Sequence, residues 1–274
     1  MRQIIYATIF GLLAAMPARA QGSAGVERLA EALMLPEIIE VMRVEGLDYG
    51  EVLAGEMFPG RASGRWQALV DDIYNTERMA EVALAGIEEA LDGRDLTPVL
   101  EYFESEPGQR ILRLELSARK ALLDEEIEAL ARERAALAWA EGGARVALLD
   151  EFIEANALID YNVAGALNAN FAFYRGLAEG GALGDDLDEG EVLADVWSQE
   201  EAIRQDTREW LRAYLLMAYG PLSDAELQTY VDLSRTPEGR VLNAALFAGF
   251  DRMYVGISYA LGLAAADILS ADEL

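Results

Sequence analysis

The chain is predicted to be all-α, and three observations carry that prediction. Ala, Leu, Glu and Arg dominate its 274 residues, and all are strong helix formers. Apolar residues, 53% of the total, recur at three- and four-residue spacing. Threonine occurs only six times, and no segment alternates apolar and polar residues long enough to make a strand.

The elements follow in order. Helices are expected over about residues 26–45 and from Tyr49 to Met57, with Pro36 interrupting the first and Pro59-Gly60 ending the second. A longer helical region spans Arg65 to Leu91 and stops at Asp92-Gly93. A short helix covers Thr97 to Glu104, with Pro98 in its first turn, where no amide donor is needed. Pro107 opens a long helix to about Ala140, on which Leu112, Leu116, Leu123, Ile127, Leu130 and Leu137 fall near one face. Asp124, Glu125, Glu126, Arg132 and Arg134 lie mostly elsewhere and solvate it.

Glu141-Gly142-Gly143 marks a boundary, and the plan then repeats. A helix runs from about Arg145 to Leu177, an acidic Gly-rich loop from Gly180 to Gly190, and a helical region from Val192 to Ala218. After Tyr219-Gly220-Pro221, Ser223 and Glu226 have capping-box spacing. The last helix starts at Pro237 and ends near Leu269. Its stretch from Tyr254 to Ala266 is apolar almost all round, with Gly256, Ala260 and Ala264 on one face for close helix contact. Asp251-Arg252 interrupts the run, so a buried central helix is expected rather than a membrane span.

The two halves share a junction. Phe103 to Leu112 aligns with Leu233 to Leu242 at an offset of 130, which pairs Pro107 with Pro237 and Arg110 with Arg240. Thr236 is expected to cap the final helix, Pro237 to occupy its first position and Gly239 to permit close approach by the preceding short helix. Arg110 and Arg240 are placed to reach an acidic group or a carbonyl. With Glu106 in place of the threonine, the first cap should be weaker or differently made.

Thr236-Pro237-Glu238-Gly239-Arg240 closely resembles the Ser-Pro-x-Gly-x-Lys/Arg signature of an exported bacterial family, domain-of-unknown-function family 2059. Ser105 to Arg110 resembles it loosely, with Glu106 and Gly108 as departures. The resemblance implies an all-helical exported domain and no particular reaction.

The N-terminus reads as a secretory signal peptide. Arg2 supplies the positive start, Ile4 to Met16 the apolar stretch, and Ala18-Arg19-Ala20 the small-x-small cleavage pattern. The organisation expected is therefore a signal peptide over 1–20, a first helical unit over 21–141 and a second over 142–274. Cleavage removes Arg2 and Arg19 and takes the net charge from −27 to −29. The product is expected to be exported, to the periplasm of a Gram-negative host, with no stable membrane span once the signal peptide is gone.

Composition excludes several function classes. Nucleic acid would be repelled by so acidic a chain, which has no basic run. There is no cysteine and no histidine, which removes thiol chemistry, disulfides, thiolate metal sites and every His-dependent triad. Ser117-Ala118-Arg119-Lys120 fits Ser-x-x-Lys, but it lies mid-helix with no second lysine, and reads as a solvated turn. Neighbouring carboxylates such as Asp71-Asp72 diverge by about 100° on a helix and do not face one site. The acidic loop over residues 184–191 departs from an EF-hand; a hydrated loop and an irregular calcium site both stay open. No catalytic residue, metal site or cofactor is expected.

The second half carries 14 aromatic residues, against 7 in residues 25–140. Asn156, Asp160 and Asn170 fall near one side of an apolar helix, with Tyr174 a turn beyond, and Trp197, Trp210 and Tyr214 follow. Two readings stand: a packed core with a satisfied polar network, or a cleft for a small apolar ligand. The expected function is a non-enzymatic module that binds a protein or a cell-envelope component. Carriage of an apolar ligand is the second expectation and carboxylate-dependent hydrolysis the third.

Overall fold

The computed structural model describes residues 18–59, 64–183 and 189–270. Most of the expected signal peptide and Asp185, Asp186 and Asp188 of the acidic loop lie outside the described residues. Thirteen helices and no strand make up the fold among the described residues. The chain is all-α.

Several helices that sequence periodicity joins are broken in the fold. α1 (Ala18–Ala32) and α2 (Leu35–Met57) part at Met34, which adopts the left-handed conformation at φ 55°. The expected interruption is present: the chain restarts as a helix with Pro36 in the first turn of α2, and α2 then runs unbroken past Glu45. Gly46 and Gly50 lie within it, with the Tyr74 ring and the Val70 side chain packed against their backbone.

α3 (Gly64–Ile73) and α4 (Thr76–Leu91) are separated by Asn75, whose side chain accepts from the Arg78 amide at 3.0 Å. α5 (Thr97–Glu104) is as expected.

The long helix predicted from Pro107 to Ala140 is two, α6 (Glu106–Ala121) and α7 (Glu125–Glu141). Asp124 is exposed as expected and is also the cap of α7, accepting from the Glu126 and Ile127 amides at 2.9 and 3.2 Å. The break rotates α7 away from the predicted stripe. Leu112 and Leu116 are buried, while Ile127, Leu130 and Leu137 are 40%, 46% and 59% exposed. α7 instead buries the small faces of Ala131 and Ala135 against the chain's eleventh helix.

α8 (Ala144–Ala155) and α9 (Leu158–Glu179) part at Ala157, left-handed like Met34. Both kinks carry the same three backbone hydrogen bonds, among them Ile38 N–H to Met34 O and Tyr161 N–H to Ala157 O, each 3.1 Å. α10 (Glu189–Ser198) and α11 (Glu200–Tyr219) divide at Gln199. α12 (Asp224–Arg235) begins with the expected capping box of Ser223 and Glu226, and α13 (Pro237–Ser270) closes the chain.

The α5–α6 and α12–α13 junctions have one geometry but a different register from the sequence alignment. Ser105 Oγ accepts from Gly108 N–H at 3.4 Å, and Thr236 Oγ1 accepts from Gly239 N–H at 3.0 Å. Each hydroxyl also donates to a carbonyl three residues back, that of Tyr102 or Leu233. Gly108 and Gly239 lie against those same two carbonyls, which leave no room for a Cβ. The matching atoms are 131 residues apart, not 130. Ser105, not Glu106, is therefore the counterpart of Thr236. Pro107 is the second residue of its helix while Pro237 is the first, and Gln109 rather than Arg110 corresponds to Arg240.

Packing crosses between the halves. α13 lies on α9 of its own half and on α4 of the other, and α11 lies on α9 and on α6 and α7. Close approach at α13 falls to Gly262, met by Gly176 of α9, and to Gly249, met by Gly86 of α4. The predicted Gly256 faces open space. By length and composition α13 is able to cross a membrane; in this fold it is a core helix with Met253, Ile257 and Leu261 buried.

Candidate functional site

The residues predicted to form an aromatic cleft do not converge on one. Asn156 is buried at the α8–α9 kink, where its Nδ2 donates to Phe152 O at 3.0 Å and its carbonyl accepts from Asn243 at 2.8 Å. Asp160 is exposed and pairs with Arg204 at 2.7 Å. Asn170 donates to Gln199 at 3.0 Å, and the Tyr174 hydroxyl to Asp195 at 3.0 Å. These three pairs tie α9 to α10 and α11. Trp197 is 60% exposed on α10. Trp210 and Tyr214 lie on α11, stacked on each other with centroids 5.1 Å apart. Helix breaks at Ala157 and Gln199 redirect the faces that an unbroken period would have aligned. The polar members serve as helix-to-helix ties.

The junction residues are structural as expected, with new partners. Arg110 forms an ion pair with Glu226 of the other half and donates to Pro221 O at 3.0 Å. Arg240 donates to the Arg235 carbonyl at the end of α12. Ser117 and Lys120 are both exposed, so Ser-x-x-Lys assembles no site.

The chemically distinctive region is the seam between the halves. Along α6 and its C-cap, Leu112, Glu115, Leu116, Arg119 and Leu122 recur at helical spacing, and two of these five are charged. The Glu115 carboxyl accepts a 2.6 Å hydrogen bond from the Tyr219 hydroxyl of α11, and the Tyr230 hydroxyl of α12 lies beside it. Burial pushes its pKa up to about 7, against the opposing pull of those two hydroxyls. Tyr102, Phe103 and Phe152 pack their rings around Tyr219 and Tyr230.

One turn along, Arg119 donates from Nε and Nη2 to the two carboxylate oxygens of Glu45 on α2, at 2.9 and 2.7 Å. Burial opposes the guanidinium charge, and the Glu45 bonds more than restore it, so its pKa lies above the ordinary arginine value. The Tyr254 hydroxyl of α13 lies beside Arg119. Tyr214 stands between the two charged groups, its own pKa raised by burial and by Glu115.

A cleft of about 290 Å³ opens onto this ion pair, lined by Glu45, Arg119, Leu122, Leu123, Glu128 and Trp210. Its rim carries Arg132, which bonds Glu128 at 2.7 Å and Asp206 at 3.0 Å and lies 3.8 Å from Glu209. A second cleft of about 400 Å³ lies between α2 and α3 over Trp66 and Val70. Only the first has a charge pair, an indole wall and apolar sides together.

Sequence reasoning missed Glu45, Glu115 and Arg119. The signal lay in the apolar period of α6, where positions 115 and 119 fall in line with Leu112, Leu116 and Leu122. Their partners are 74 to 104 residues away, beyond the reach of local pattern.

No protein-family model, curated protein or solved structure matches the chain.

Proposed function

We propose that the chain is an exported, non-enzymatic binding module, periplasmic in a Gram-negative host, which takes its ligand or partner in the cleft around Glu45, Arg119, Glu128 and Trp210. The observation that carries this is the cleft itself: a concavity floored by a largely buried ion pair where helices from both halves meet. Binding sites in helical proteins sit between helices and combine apolar walls with a few oriented polar groups. The Glu45–Arg119 pair is such a group, fixed in place by its own two hydrogen bonds.

Two further points support the reading. Glu115, the carboxyl raised toward neutrality, does not line the cleft, and the chain offers no histidine or cysteine to act there. The signal-peptide pattern at Arg2 to Ala20 and the likeness of Thr236–Arg240 to the family-2059 motif favour export. The matched junctions and matched kinks favour descent of the two halves from one duplicated unit.

A thermal-shift screen of small molecules and envelope fragments tests the site. Compounds that stabilise the wild type and lose their effect in Trp210→Leu are expected. Stabilisers indifferent to Trp210→Leu, or turnover that vanishes in Glu115→Gln, would overturn the reading. N-terminal sequencing of the protein from the host's periplasmic extract tests export, with Gln21 as the expected first residue.

A further inference from the structure

We propose that the ligand of this cleft is a small organic cation, an amine or guanidinium compound a few methylenes long. The inference rests on the cleft reading above and adds the chemical class.

Charge is the first reason. Arg119 is matched by Glu45 alone, but Arg132 is shared by Glu128, Asp206 and Glu209. The three charged groups lining the cleft, Glu45, Arg119 and Glu128, leave one negative charge, and the Arg132 network that adjoins it through Glu128 brings the six groups to two uncompensated negative charges, in a chain whose net charge is −27. A positive ligand is drawn in and an anion repelled.

Donor supply is the second. Arg119 already spends Nε and Nη2 on Glu45 and meets the Tyr254 hydroxyl. It holds no ready fork for an incoming carboxylate or phosphate. The oxygens of Glu45 and Glu128 keep lone pairs free to accept, since each takes at most one hydrogen bond from its arginine.

The wall is the third. Trp210 lines the cleft, and stacking on Tyr214 at 14° between ring planes holds its indole in one orientation. An indole face attracts a cation within about 6 Å, more strongly once water is excluded. Leu122 and Leu123 supply apolar contact for a short methylene chain. The volume of about 290 Å³ lies at the small end of ligand sites and suits a few heavy atoms rather than a lipid tail or a folded peptide.

Isothermal titration of the chain as purified from its host decides the matter. The probes are choline and agmatine as cations, 3,3-dimethylbutan-1-ol as the neutral isostere of choline, and glutarate as an anion. Both cations are expected to bind, more weakly as salt rises, with affinity falling about tenfold in Trp210→Leu and several-fold in Glu128→Gln. Trp210→Phe keeps a ring and is expected to retain more binding than Trp210→Leu; circular dichroism melts confirm that each variant is folded. Equal binding of the neutral isostere, or binding of glutarate lost in Trp210→Leu, overturns the cation class and leaves the cleft standing. Cation binding untouched by both Trp210→Leu and Glu128→Gln overturns the site as well, and failure of both cations to bind the wild type overturns the inference.

Discussion

The Tyr219 hydroxyl of α11 donates to the Glu115 carboxyl of α6 across the seam between the halves, at 2.6 Å. The pair makes stability depend on pH. Glu115 rises from an ordinary 4.5 to about 7 in the fold, so between those values the folded chain keeps a proton that the unfolded chain releases. The stabilisation is fully present below pH 4.5 and is lost as pH climbs through 7. The difference between wild type and Glu115→Gln in urea unfolding should change by about 2–3 kcal/mol over that window. A difference that stays flat with pH would show that Glu115 ionises normally.

The Glu45–Arg119 pair should fail asymmetrically. Removing one partner strands a charge in a largely buried setting. Glu45→Ala is expected to cost about 2–3 kcal/mol, below the full range for a buried pair because both side chains keep a quarter to a third of their exposure. Glu45→Leu combined with Arg119→Met should recover most of the loss, since no charge is then left unmatched. Denaturant midpoints of the two single variants and the double variant form the measurement.

The crossing of α9 and α13 is set by Gly176 and Gly262. A Cβ on Gly176 would lie 2.2 Å from Tyr259 O, and one on Gly262 would lie 2.2 Å from Phe173 O. Either alanine substitution should destabilise by about 1–3 kcal/mol through forced separation of the helices. Gly256→Ala, facing open space on the same helix, should be neutral or stabilising by up to about 1 kcal/mol. Equal effects at 256 and 262 would refute this packing.

Caps should rank by geometry. Thr236→Ala is expected to cost about 1 kcal/mol and Ser105→Ala less, because the Ser105 bond to Gly108 is the longer, 3.4 against 3.0 Å. Asp124→Ala removes two amide contacts at the start of α7 and should also cost about 1 kcal/mol. Thermal melts of the three variants give the order.

The exposed stripe on α7 separates the predicted from the observed helix. If Pro107 to Ala140 were one helix, Leu137→Gln would damage a core. With Leu137 59% exposed it should change stability by less than about 0.5 kcal/mol, whereas Ala135→Leu, at a position 2% exposed, should destabilise by about 1–3 kcal/mol.

Much of the fold was legible in the sequence because helix formation is local. Apolar spacing of three to four residues marks helical segments wherever they pack. Pro98, Asp92-Gly93, Ser223 with Glu226, and the Thr236-Pro237 start were read correctly, since each acts on its own neighbours. The junction signature was visible too, though its register was one residue out, because matching the prolines overrode matching the hydroxyl caps.

Tertiary structure decided the rest. The breaks at Ala157 and Gln199 carry no glycine or proline signal, and left-handed Met34 and Ala157 cost about 1–2 kcal/mol each, which only packing elsewhere can offset. Those breaks dispersed the predicted aromatic cleft. Packing of the halves on each other also brings together Glu45, Arg119, Glu128 and Trp210, which lie on four helices from both halves. Hydrogen bonds along a helix are set within four residues of chain, whereas an ion pair 74 residues apart exists only after the halves have closed on each other.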